Sequence, residues 1–81
     1  MKTAYEYIHF VKVGEKPKTS VWNCCNTRSA MLLGVVKWHA TWRQYCYFPA
    51  AWATVYSAGC LWDIREFIAQ INAAHQLGVK E

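Results

Sequence analysis

An α+β fold is what this sequence predicts: a single small domain in which an antiparallel, three- to five-stranded sheet packs on one C-terminal amphipathic helix. The last third carries Leu61, Ile64, Phe67, Ile68 and Ile71 at spacings of three and four, the clearest periodic signal in the chain. The first two thirds instead alternate β-branched and aromatic runs with turn residues. A length of 81 residues leaves room for only one hydrophobic core. Residues 1–81 therefore read as one domain, with the sheet over about residues 5–56 and the helix over about 59–76.

Tyr5 to Val13 is β-branched and aromatic, and Glu6, His9 and Lys12 fall on no helical stripe, so it reads as the first strand. Gly14-Glu15-Lys16-Pro17-Lys18-Thr19-Ser20 is a polar loop broken by Gly and Pro. A second strand follows from Val21 to Cys25. Asn26-Thr27-Arg28-Ser29 then supplies turn chemistry before a third strand, from Met31 or Leu32 to Trp38. A reversal at His39-Ala40-Thr41-Trp42 leads into a fourth, Arg43 to Phe48, which Pro49 ends. Ala53 to Tyr56 is a loop or short edge strand. Ser57 is the expected N-cap of the helix and Gly78 its C-terminal stop, while Asp63, Arg65, Glu66, Gln70 and Asn72 form the polar side.

Pairing in the last hairpin can be argued from charge. A three-residue loop sets Lys37 opposite Arg43, a costly like-charge pair, whereas a loop of two or four residues sets Trp38 opposite Arg43, a favourable cation–π pair. With the even loop, Leu33, Val35, Cys46 and Phe48 share one face, while Val36, Trp38, Arg43, Tyr45 and Tyr47 share the other, and Gly34 lies beneath Tyr47. The first face is aliphatic and suits helix packing. The second is then an aromatic surface bearing a guanidinium, unless the sheet curls and its rings complete the core.

The composition, 54% hydrophobic, 16% aromatic and 17% charged, excludes a disordered chain. Nine Lys and Arg against five Asp and Glu give +4, with Lys12, Lys16, Lys18 and Arg28 early in the chain. That balance permits an anionic partner but lacks the dense basic clustering of an obligate nucleic-acid binder. The N-terminus has no apolar signal-like run and no stretch is long enough for a membrane span, so a cytoplasmic protein with no membrane partner is expected. Its four cysteines, Cys24, Cys25, Cys46 and Cys60, should then stay reduced.

No catalytic, cofactor-binding or metal-binding set emerges. Cys24 and Cys25 are adjacent and point to opposite faces of a strand, unlike a zinc knuckle, and buried small hydrophobes explain all four thiols better. Cys60 near a helix start would be the nucleophile of a Cys-dependent enzyme, the weakest reading, since no motif places a base beside it. Glu6, Glu15, Asp63, Glu66 and Glu81 are scattered, and the glycines make no phosphate-binding pattern. The aromatics are the anomaly, five of them Trp. The expected partner-binding residues are Trp38, Arg43, Tyr45 and Tyr47, with Lys37 beside them. They would serve as a protein interface or, alternatively, as a stacking platform for single-stranded DNA or RNA, where Lys16, Lys18, Lys37 and Arg43 would meet phosphates.

Leu33-Gly34-Val35-Val36-Lys37-Trp38, Trp42-Arg43-Gln44-Tyr45-Cys46-Tyr47-Phe48-Pro49, Gly59-Cys60-Leu61-Trp62-Asp63-Ile64 and Phe67-Ile68 together resemble a family of small uncharacterised proteins of bacteria and their phages. That family's pattern reads LGxIxWxxxWRQYxFxP…CLxDIxxFI, and the likeness covers about Val21 to Ile71. His39 stands where an aromatic is common in it, and Trp62 at a usually polar position. No activity comes with the family. The resemblance implies the same fold and a mobile-element origin, and small phage proteins often occupy a host surface, anti-CRISPR proteins being one example. The expectation is therefore a non-enzymatic phage- or prophage-type accessory protein that binds a host or phage protein, as an inhibitor of a system such as CRISPR defence, or that binds itself as a homodimer.

Overall fold

The structure is a computed structural model that describes residues 1–51 and 55–79. Four antiparallel strands, β1 (Ile8–Glu15), β2 (Ser20–Asn26), β3 (Leu32–His39) and β4 (Gln44–Pro49), form one sheet in the order β1-β2-β3-β4, followed by one helix, α1 (Ala58–Gln76). This is the α+β architecture the sequence predicts. Among the described residues no helix is long and apolar enough to cross a membrane.

The helix ends where its capping residues put it. Ser57 Oγ accepts a hydrogen bond from the Cys60 N–H at 3.1 Å, which satisfies one of the otherwise unpaired amides of the first turn. At the other end Gly78 adopts φ 72°, and the N–H groups of Gly78 and Val79 donate to His75 and Ala74 carbonyls at 3.1 and 2.9 Å, a Schellman closure. Between the caps Cys60, Ile64, Phe67 and Ile71 are buried.

The strands differ from expectation at their ends, for local reasons. Tyr5 to Tyr7 do not extend β1: the Tyr5 N–H donates to the Ile8 carbonyl and the Phe10 N–H to that of Thr3, so the N-terminal segment folds back on the β1 edge. The polar loop shrinks to a tight turn, closed by Lys16 N–H donating to Thr19 O at 2.7 Å, and β1 and β2 lengthen around it. Asn26 Oδ1 accepts from the Arg28 and Ser29 N–H groups, the side-chain turn expected of Asn at that position. The loop or strand expected at Ala53 to Tyr56 lies partly outside the described residues; Val55 and Tyr56, within them, are in neither helix nor strand.

Two expectations about the last hairpin are corrected. His39 pairs with Gln44 and Trp38 with Tyr45, leaving the four-residue loop Ala40–Arg43. The loop is even, as argued, but Arg43 is in it. It adopts φ 55° and its N–H donates to the His39 carbonyl, so the left-handed residue closes the loop and Tyr45, not Arg43, faces Trp38. The second correction concerns the covered face. Val36 and Tyr45 are 0% and 1% exposed beneath the helix, with Trp38 and Tyr47 packed against the same core, whereas Val35, Cys46 and Phe48 lie on the side the helix leaves open. The rings complete the core.

Gly34 pairs with Pro49, and the Tyr47 ring, whose backbone pairs with Val36, leans diagonally over it. A Cβ there would meet Tyr47 Cζ and Oη at 2.4 Å and the Phe48 carbonyl oxygen at 2.8 Å. The ring could shift but the backbone oxygen cannot, so Gly34→Ala should lower unfolding free energy by about 3 kcal/mol, the upper end for overpacking. Urea denaturation measures this; a loss below about 1 kcal/mol would mean that strand and ring yield together.

Candidate functional site

Strand alternation defines what lies on the open face. From β1 come His9 and Val11, from β2 Val21, Asn23 and Cys25, from β3 Val35, Lys37 and His39, and from β4 Gln44, Cys46 and Phe48. Its centre is therefore small and apolar. The acids lie elsewhere: Glu6 precedes β1, Glu15 pairs with Lys12 at 3.0 Å at the strand end, and Asp63 and Glu66 are on α1. Among the described residues the open face carries one lysine and two imidazoles but no carboxylate.

Its rings gather at the β3–β4 end. Phe48 and His39 lie near parallel, 14° apart with centroids at 5.9 Å, and His39 and Trp42 follow at 30° and 4.7 Å. Lys37 Nζ stands 4.6 Å from the Phe48 centroid, a cation–π distance. The column is held from the backbone, because the Trp42 N–H donates to His39 Nδ1 at 3.2 Å, which requires that nitrogen to be unprotonated. Trp42 remains 65% exposed, the most exposed aromatic among the described residues.

The residues singled out from sequence divide between the two faces. Lys37 lies on the open face and Arg43 at the adjoining hairpin tip, both exposed. Tyr45 is buried, its OH accepting from the Ser20 N–H at 3.0 Å and its backbone clamped by the Asn72 side-chain amide. Trp38 packs on Tyr45 and on His75, and Tyr47 OH bonds Tyr56 OH, which donates to the Leu33 carbonyl at 2.9 Å. Tyr45 is thus core, and Trp38 and Tyr47, both half-buried, lie on the helix-covered face and not on the open one. Trp42, His39 and Phe48 take their place. The one clue in the sequence was a Trp inside the reversal, which becomes meaningful only once the loop turns it back onto the His39 ring.

The thiols divide the same way: Cys24 and Cys60 are buried on the helix side, Cys25 and Cys46 half-buried on the open side, and all four are free. No group of three or more metal-ligating side chains occurs among the described residues. Burial pushes the Cys24 thiol up to about 12, with Cys60 adding to the effect, and raises Cys60 as well, chiefly by burial and then through Asp63. Tyr47 is raised by burial and its bond to Tyr56. A raised pKa gives up no stability below the unfolded value, then loses it as pH climbs. For Cys24 that window runs from 9.0 to about 12. The urea midpoint should accordingly fall as pH rises through that window, and less steeply in Cys24→Ala; a flat midpoint in both would contradict it. At neutral pH an alkylator followed by mass spectrometry should label Cys25 and Cys46 well before Cys24 and Cys60.

No protein family, curated protein or solved structure matches this chain.

Proposed function

We propose that this protein is a non-enzymatic binding module whose contact surface is the open face of the sheet and whose partner is anionic. One observation carries the reading: among the described residues, the face that the helix leaves uncovered holds Lys37, the nearby Arg43 and the ring column that ends in the exposed Trp42, and no carboxylate. A small apolar centre with Trp and Arg at its margin has the layout of a recognition surface, in which a few large side chains dominate the energy. A host or phage protein with an acidic rim falls within this class of partner. A second copy of the chain fits less well, since it would bring the same cations against Lys37 and Arg43.

The non-enzymatic part rests on the thiols and imidazoles. The buried thiols are pushed away from the reactive thiolate, and His39 Nδ1 is engaged by a backbone amide. Neither supplies a nucleophile with a base beside it.

Amide chemical-shift mapping with inorganic polyphosphate, a polyanion without rings, tests this reading. Shifts should cluster on Val35, Lys37, His39, Trp42 and Arg43, and Lys37→Glu with Arg43→Glu should weaken binding by roughly tenfold. Shifts confined to the Lys16–Thr19 turn or to the helix would overturn it.

A further inference from the structure

Resting on that reading of the open face, we infer that its partner is single-stranded nucleic acid and that Trp42 is the platform on which a base stacks. The ring column is the reason. Phe48, His39 and Trp42 are stacked within 14° and 30° of one another, and Trp42 ends the column at the hairpin tip with 65% of its surface open. A further flat ring laid on Trp42 continues an array that already exists. Every base offers such a face, and duplex bases do not, because they are already stacked on their neighbours.

The column is also fixed before any ligand arrives. The Trp42 N–H to His39 Nδ1 bond and the Arg43 N–H to His39 O bond tie the loop back onto β3 at two points. Holding the ring in place beforehand removes an ordering cost from binding. Lys37, at the base of the column, and Arg43, next to Trp42 in the chain, supply positive charge where the phosphates flanking a stacked base would run. An acidic protein surface would use those cations but has no need of the column.

The test is tryptophan fluorescence titrated with oligo-dT of about ten nucleotides at low and physiological salt, on the intact protein. Quenching is expected. Two phosphate contacts should cost roughly sevenfold in affinity between about 50 and 200 mM salt. Trp42→Ala should weaken binding by about ten- to a hundredfold, and Trp42→Phe should restore most of it. The equivalent duplex should bind more weakly. Trp42 is exposed, so both variants should fold, which their circular dichroism checks. Absence of oligo-dT binding, or binding untouched by Trp42→Ala, overturns the inference. If polyphosphate still maps to the open face in that case, the anionic-partner reading stands and the occupant is an acidic protein; if it does not, both fall.

Discussion

Phe67 is the residue through which the helix meets the sheet. Its ring lies flat on Phe10, 3° apart with centroids at 3.9 Å, and edge-on to Trp22 at 5.3 Å, and no part of it reaches solvent. One 19-residue helix can cover one face of a four-stranded sheet, so whichever face Phe67 docks against becomes core and the other stays wet. The two faces compete unequally. One offers Phe10, Trp22, Trp38, Tyr45 and Tyr47; the other offers Val11, Val21, Val35 and Phe48 as its larger apolar side chains. Each aromatic ring buries about 150–250 Å², worth roughly 4–6 kcal/mol at the usual area coefficient, and a valine has less surface to bury. Burying the rings wins.

That outcome needs the polar ends of the rings to find partners, because a buried hydroxyl or indole N–H without one would cost about 1–3 kcal/mol. Ser20 serves two of them: its Oγ accepts from Trp22 Nε1 at 2.8 Å and its N–H donates to the Tyr45 hydroxyl. Tyr47 is served by Tyr56, which passes the chain of bonds on to the Leu33 carbonyl, an oxygen that also accepts from the Ala50 N–H. No buried side-chain polar atom among the described residues is left without a bond. Gly34 belongs to the same arrangement, since only a residue without Cβ leaves room for the Tyr47 ring. The covered side is consequently chemically quiet, burial favouring the neutral forms of Cys24, Cys60 and Tyr47.

Elements with a local cause were legible from the sequence. The helix could be read from its spacing, Ser57 and Gly78; the Asn26 turn from its chemistry; the place of Gly34 from the parity of the hairpin. The choice of covered face was not. Alternation along a strand separates two sets of side chains without saying which set turns inward, and an aromatic set that looks like a recognition surface is equally good core. The even hairpin loop was legible, but its place was not: it spans Ala40–Arg43 and not His39–Trp42, because Arg43 takes a left-handed conformation that its side chain does not advertise. Both misplacements moved the candidate site together. Lys37 and Arg43 kept their exposure, while the rings beside them changed from Trp38, Tyr45 and Tyr47 to His39, Trp42 and Phe48.

The β3–β4 corner carries features that the fold does not need. Arg43 at φ 55° costs on the order of 1 kcal/mol for a residue with a side chain, a cost that a glycine there would remove. Trp42 leaves most of a large apolar ring in water, and its contact with His39 recovers only part of that surface. Stability alone would favour a polar residue at that tip and a glycine after it. A left-handed residue following an exposed ring, on a face without acids among the described residues, is a feature that stability alone does not explain. Because the core of this domain lies wholly on the other side of the sheet, that corner can specialise in contact without disturbing Phe67 and the rings around it.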